Sequence, residues 1–309
     1  MDYLIVPGEI EPYPIAWETM FGRAAPLAVE IGFGNGDFLI DWSLQHPGWN
    51  FIGIELSMES MMKLQKNLHQ HKIVNTRGIR EEAEFALREF FPDNSLRNVL
   101  MNFPDPWPKG RHRDRRLLSG NFVHILGVVL ENGGQYELVT DQQWYAAHAR
   151  ALFQDSPFFE TSCLETDPVR TVTTRYERKW REMGRSIYRL VARKVQNASI
   201  HRLLEDSAMP HAFIEKEIHI DSIEKLIGEE YIEAETFFVV KAAFSSSDGR
   251  GYLLRMITKD GHYKQSFYIT VSRHENHRWL VKLDTTFQPY RTPAVKLAVW
   301  KIGEILNRA

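Results

Sequence analysis

Asp105 stands between Pro104 and Pro106, with Pro108 close behind, in the run Asn102 to Arg116 that reads NFPDPWPKGRHRDRR. Prolines fix φ and forbid helix, so the carboxylate sits on a stiffened loop. The loop follows the apolar run Asn98 to Phe103, which predicts a buried parallel strand. Directly after it, Lys109, Arg111, Arg113, Arg115 and Arg116 concentrate positive charge, with His112 among them and Asp114 too little to cancel it. Guanidinium forks suit phosphate oxygens, so this tail is expected to grip a phosphate backbone. Phe103 and Trp107 flank the acid, and two uses stay open to them: stacking on a base, or anchoring the end of the strand.

A second cluster lies upstream, where Leu27 to Gly36 reads LAVEIGFGNG. A short apolar strand ends near Glu30, and Gly32, Gly34 and Gly36 then open a helix from Asp37. Glycine is needed where a backbone turns tightly and a ligand approaches closer than a Cβ would allow. The dinucleotide fingerprint wants its third glycine where Asp37 stands, so the cradle for a pyrophosphate is incomplete. A further strand, Phe51 to Ile54, ends in Glu55, where doubly wound nucleotide folds hold a carboxylate against ribose hydroxyls. An adenosine ligand without phosphates needs the ribose acid and not the cradle, and Glu30 suits an ammonium group on the same ligand. Those requirements describe S-adenosylmethionine. Glu82, in the stretch Glu82-Ala83-Glu84, could bring an acid to the adenine edge.

The elements that must position these groups alternate. Strands are expected near 27 to 31, 51 to 54, 72 to 77, 97 to 102 and 133 to 140, with helices between them, which predicts a mostly parallel sheet. Ser57 is a candidate N-cap for a helix that turns Met61, Leu64 and Leu68 inward, and Gly133-Gly134 divides a long helix after Arg116 from the strand Gln135 to Thr140. Asp141 then ends on the same carboxyl-terminal rim as Glu30, Glu55 and Asp105. Phe158 to Glu165 and Ile187 to Val195 read as closing strands. A basic stretch from Arg175 through Arg178, Lys179, Arg181, Arg185, Arg189, Arg193 and Lys194, interleaved with Tyr176, Trp180 and Tyr188, reads either as a second RNA patch or as a solvated helix leading into a strand.

Taken together, EIGFGNG, GIE, NFPDPWPKGRHRDRR, VTD at Val139 to Asp141 and TTRYE at Thr173 to Glu177 resemble the bacterial tRNA (guanine-N7-)-methyltransferase family over roughly residues 1 to 195. The resemblance implies a class I S-adenosylmethionine-dependent methyltransferase fold and methyl transfer from S-adenosylmethionine to N7 of a guanine in the tRNA variable loop. It implies donor contacts at Glu30, Gly32, Gly34, Glu55, Glu82 and Asp105, with Asp105 also at the catalytic position. It implies substrate contacts at Lys109, Asp141 and the segment Thr174, Arg175, Tyr176 and Glu177, while Arg111, Arg113, Arg115 and Arg116 face tRNA phosphates. The family usually carries Asp or Asn where Glu82 stands. Two other classes compete: a methyltransferase acting on a protein or small molecule, and a non-catalytic RNA-binding protein that kept the fold.

Length and composition fit a two-domain globular chain, since 309 residues at 43% hydrophobic content exceed one typical domain. The expected division is residues 1–196 for the methyltransferase domain and 197–309 for a smaller α+β extension. One cysteine, Cys163, fits a reducing cytoplasm, and no histidine spacing supports a metal site. The segment MDYLIVPGEIEPYPIAW lacks a basic start and is broken by prolines, which argues against secretion and membrane spanning. A net charge of −2 leaves tRNA binding to local patches, and the protein is expected to act as a monomer or homodimer. In the extension, strands are expected around 212–220, 236–243, 252–258 and 263–272, a short helix at 222–227, and a final helix from Thr292-Pro293 burying Val295, Val299, Ile302 and Leu306.

Overall fold

The structure, a computed structural model, describes residues 3–107, 116–205, 208–274 and 278–308. The chain forms two compact units, Met1–Arg202 and Leu203–Ala309. The division falls slightly beyond the expected one after residue 196. Ala198 donates its amide to the Gly127 carbonyl, and Arg202 bonds the Arg88 carbonyl and Asp93, which ties this connecting segment to the first unit.

In the first unit the elements are β1 (Leu4–Ile5), α1 (Trp17–Phe21), β2 (Leu27–Ile31), α2 (Asp37–Gln45), β3 (Asn50–Glu55), α3 (Met58–Gln70), β4 (Thr76–Arg80), α4 (Ala83–Phe90), β5 (Leu96–Asn102) and α5 (Gly120–Val129). They continue with β6 (Leu130–Thr140), α6 (Gln143–Gln154), β7 (Phe159–Thr161), β8 (Glu165–Thr166), α7 (Arg175–Glu182) and β9 (Tyr188–Lys194). One sheet runs in the order β1-β4-β3-β2-β5-β6-β9-β7, with β8 also beside β9. Pairs from β1 to β6 are parallel, and β9 is antiparallel to β6, β7 and β8. This is the mostly parallel sheet with closing antiparallel strands that the alternating pattern predicts.

The apolar run in β2 is buried along its whole length, as a strand covered on both faces must be. Chain direction across the sheet reverses at β2: β3 and β4 lie on one side, β5 and β6 on the other. Such a reversal opens a crevice at the carboxyl ends of the strands, so β2 and β5 deliver their last residues to its floor. Ser57 caps α3 by accepting the Ser60 amide at 3.3 Å, and Met61, Leu64 and Leu68 are buried beneath it. Burial of each such side chain contributes about 1.5–3 kcal/mol.

Three expectations need correction. The third strand lies at Thr76–Arg80, not 72 to 77, because Ile73 folds back into the core under α3 after a left-handed turn at Lys72 (φ 53°). Arg77 makes that polar strand buriable by bonding the Val74 and Thr76 carbonyls and lying over the Phe21 ring. The helix expected after Arg116 starts at Gly120 behind a Ser119 cap, and β6 begins at Leu130, ahead of Gly133-Gly134. A Cβ on Gly134 would stand 2.9–3.1 Å from three carbonyl oxygens, so glycine there lets β6 pass β5 where the register shifts.

The second unit contains β10 (His211–Ile214), α8 (Ile220–Glu224), β11 (Glu230–Glu233), β12 (Thr236–Ser245), β13 (Gly251–Asp260), β14 (Tyr263–Arg273), β15 (Trp279–Leu283) and α9 (Pro293–Arg308). Its sheet order is β10-β15-β14-β13-β12-β11, antiparallel throughout. The expected strand 212–220 shortens to β10 because its tail turns into α8, and β11 and β15 were not expected. Helix α9 starts where Thr292-Pro293 predicts, its Ala294 amide bonded to Asp260 at 2.8 Å, and it buries Val295, Val299, Ile302 and Leu306 on one face of the sheet. No helix among the described residues is long and apolar enough to cross a membrane.

Candidate active site

The glycine turn after β2 has the geometry its sequence requires. Gly32, Gly34 and Gly36 all have positive φ, at 68°, 57° and 81°. Gly36 also packs on α3, since a Cβ there would meet Leu64 Cδ1 at 2.8 Å. At Gly32 and Gly34 a Cβ would meet nothing within 4 Å among the described residues, which leaves space over the turn on the side a ligand would use. Glu55 holds this turn in shape: one carboxylate oxygen accepts the Gly34 amide at 3.1 Å, and the other accepts the amides of Leu56 and Ser57 at 2.8 and 3.1 Å. A carboxylate has about four lone-pair sites, so capacity remains for a ribose hydroxyl.

Glu30 is 1% exposed at the end of β2. One of its oxygens accepts the Asn102 side-chain amide at 3.0 Å, and the other, Oε2, is buried without a hydrogen-bond partner among the described residues. Burial pushes the Glu30 carboxyl up to about 7, against the Asn102 hydrogen bond and the nearby Arg170 charge, which pull it down. A buried acceptor left open beside a nucleoside-shaped turn fits the ammonium end of S-adenosylmethionine. Glu82 stands exposed at the N-terminal boundary of α4, on the same strand-end side, its carboxyl raised by desolvation and by the charges of Glu81 and Glu84.

Asn102 also passes its carbonyl to a residue that the motifs do not single out. Arg170, its side chain 6% exposed, donates to Asn102 Oδ1 at 3.1 Å, to Glu177 at 2.9 Å and to Glu137 at 3.2 Å, and lies 5.0 Å from the Phe38 ring centre. Glu177 is wholly buried and also accepts from Arg181 at 3.1 Å. Its own amide donates to the Thr174 hydroxyl at 2.9 Å, which caps α7. The side chains of Thr174 and Glu177, expected at the substrate, are therefore committed to building the wall of the site. An arginine inside the apolar VRTV is the signal that could have revealed Arg170, since a lone cation among apolar residues needs buried acids.

Asp105 is exposed on the loop after β5. The residues bracketing it, Phe103 (φ 48°) and Trp107 (φ 42°), are bulky and left-handed, a strained arrangement that the surroundings must enforce. The Phe103 amide is bonded to Val139 of β6 at 2.7 Å. Trp107's carbonyl is held by two nitrogens of Arg116 at 3.1 and 2.8 Å, and Arg116 in turn lies 5.0 Å from the Trp144 ring centre. Arg116, expected at a tRNA phosphate, thus struts the Asp105 loop through two of its nitrogens. The other residues of that tail, Lys109, Arg111, Arg113 and Arg115, lie outside the described residues, as does the side chain of Arg175.

Tyr176 is 58% exposed at the start of α7, its ring 6.5 Å from that of Phe103, so two aromatic planes meet beside Asp105. Asp141, following β6, is bonded by Arg185 at 3.1 Å and Gln142 at 2.8 Å, and Arg185 stacks on Trp180 at 4.2 Å. The second basic stretch is thereby broken up. Arg185 is tied to Asp141, Arg189 to Glu137 and Glu165, and Lys194 is buried on Asn94 and the Leu130 carbonyl. Arg178 and Lys179 stay exposed on α7.

A family described as "Putative methyltransferase" matches residues 24–190. Among curated proteins, a tRNA (guanine-N(7)-)-methyltransferase of Thermotoga maritima is 39% identical over 308 residues, covering 99% of this chain and 97% of its own length. A protein of the same name from Coprothermobacter proteolyticus is 33% identical over 311 residues, with 98% and 93% covered. Another, from Sodalis glossinidius, is 34% identical over 190 residues, which is 60% of this chain and 80% of that protein.

Proposed function

The chain belongs to the tRNA (guanine-N(7)-)-methyltransferase family, and from that premise we propose that it methylates N7 of a guanine in the tRNA variable loop. The observation carrying this reading is Asp105: an exposed carboxylate on a loop strutted by Arg116 and framed by prolines, beside the rings of Phe103 and Tyr176. When bound, S-adenosylmethionine supplies the electrophilic methyl group. Glu30, with Asn102 behind it, receives the donor's ammonium end, Glu55 its ribose, and Gly32 and Gly34 let it lie against the backbone. Glu82 reaches toward the adenine.

Guanine N7 has a free lone pair and loses no proton before attack, so the protein needs no strong base. What changes is charge, since the imidazole ring of the base turns cationic as N7 is alkylated. Asp105 offsets that charge and orients the ring, an interaction that strengthens toward the transition state. Alignment of the reacting atoms can contribute roughly 7–11 kcal/mol, which is why a strained and strutted loop suits the task. Tyr176 and Phe103 flank the base. Lys109, Asp141 and Arg175 contact the substrate, and Arg111, Arg113 and Arg115 grip its phosphates. Thr174 and Glu177 act through position, holding α7 and Arg170. The protein works on tRNA in the cytoplasm, as a monomer or homodimer.

The test is transfer of labelled methyl groups into unmodified tRNA, followed by borohydride and aniline treatment, which cleaves at 7-methylguanosine. Cleavage at one variable-loop guanine is expected. Label without cleavage, or none, overturns the reading.

A further inference from the structure

The second unit, Leu203–Ala309, contains fourteen basic and fifteen acidic residues, a balance that marks no nucleic-acid clamp. Folding separates them. Helix α9 covers the sheet face that carries Leu254, Met256, Phe267, Ile269 and Trp279. On the opposite face, strand register lines up Phe237, Lys259 and Lys264 in one row, then the uncharged row Val239, Ile257 and Ser266, then Arg255 with Tyr268, and last Phe244 in the row that also holds Lys282. Arg255, Lys259, Lys264 and Lys282 are all exposed, and none of the four is in an ion pair among the described residues. The register brings the acid Glu230 to this face on the outermost strand β11, and Asp284, whose amide bonds the Tyr268 carbonyl at 3.0 Å just past β15, stands at the end of the Arg255–Tyr268 row.

Aromatic rings share the face with these cations. Phe244 is 53% exposed, and Lys259 lies 5.5 Å from the Phe237 ring centre. Phe213 of β10 is exposed too, with Arg278 over its ring at 4.7 Å. A sheet face offering cations and rings together suits a polyanion whose bases can leave their stack, because phosphates meet the cations and bases stack on the rings. A second copy of this chain fits poorly, since an isologous contact would set these unpaired cations against themselves.

We infer that this face binds unpaired nucleotides of the tRNA whose guanine is methylated, so that the second unit is a second RNA-binding surface on the same chain. The inference rests on the tRNA reading above and adds a contact to it. Two contacts carried on one chain to one polymer raise affinity through local concentration.

The experiment compares the full-length parent with the triple variant Arg255→Glu, Lys259→Glu, Lys264→Glu, in tRNA binding by fluorescence anisotropy at several salt concentrations and in steady-state methylation. Circular dichroism melting establishes that both proteins are folded. The tRNA Kd of the variant should rise about tenfold or more, and its log–log salt slope should shrink by roughly 2 to 3, for three lost phosphate contacts. Its kcat at saturating tRNA and its affinity for S-adenosylhomocysteine should match the parent. The variant Lys259→Arg, Lys264→Arg should keep parental affinity, and Phe244→Ser should weaken binding without altering the salt slope. An unchanged Kd and slope in the folded triple variant overturn the inference. So does a change confined to sedimentation, which would assign the face to self-association. A parent that binds tRNA through this face yet methylates none would sink the proposed activity and leave this inference standing.

Discussion

At the level of single residues, Glu30 and Asp105 divide the work by their surroundings. Asp105 is exposed and acts by charge, so Asp105→Asn should lower kcat on the order of a hundredfold while donor affinity changes little, as single-turnover methylation against S-adenosylhomocysteine binding would reveal. Glu30 is buried, its carboxyl raised to about 7 from an ordinary 4.5. As pH climbs through that window, the unfolded chain has released a proton that the folded protein retains. The contribution of Glu30 to stability without ligand should therefore be fullest below 4.5, fall toward 7 by on the order of 3 kcal/mol, and level off above it. Urea titrations should find this decline in the parent and not in Glu30→Gln; equal declines in both would refute the assignment. Both acids were readable in the sequence from their neighbours, glycines for one and prolines for the other. Arg170 was not, because its role depends on Asn102, Glu137 and Glu177 meeting from distant parts of the chain. The partners of Arg116 and Glu177 went unforeseen for one cause: charge is visible in a sequence and its partner is not.

Elements explain why the loop bearing Asp105 keeps its strained shape. Phe103 is fastened to β6 at one end, and Arg116 fastens Trp107 at the other. Removing the strut should let the bulky left-handed residues relax. Arg116→Met, which keeps the length of the side chain, is expected to lower kcat by about tenfold through misalignment with tRNA Kd nearly unchanged. A loss confined to tRNA affinity would return Arg116 to the phosphate grip. The strands of the parallel sheet were legible because burial on both faces leaves continuous apolar runs. β4 was misplaced because three of its four buried residues are Thr76, Arg77 and Gly78, with Arg77 made compatible with the interior by hydrogen bonds that a hydropathy pattern does not record. The short strands β1, β11 and β15 escaped for a related reason, since their pairing is supplied by neighbours and not by their own length.

For the whole molecule, a net charge of −2 means that tRNA is not attracted by a general field. Local cation clusters must do it, so affinity for tRNA should fall with salt at a log–log slope of roughly −0.7 to −0.9 per phosphate contacted, which filter binding across salt concentrations can measure. A slope near zero would exclude phosphate-dominated binding. The α+β character of the second unit was legible, whereas the one-sided distribution of its charges required the register. The far margin of the first sheet has its own consequence. Leu4 and Ile5 lie alongside Gly78 and Ile79, and the Tyr3 carbonyl takes the Gly78 amide. Without that dipeptide, β4 would present a bare row of donors and acceptors to any passing strand. Two residues thus act as a selvedge, and fraying them should turn a well-behaved solute into one that associates margin to margin.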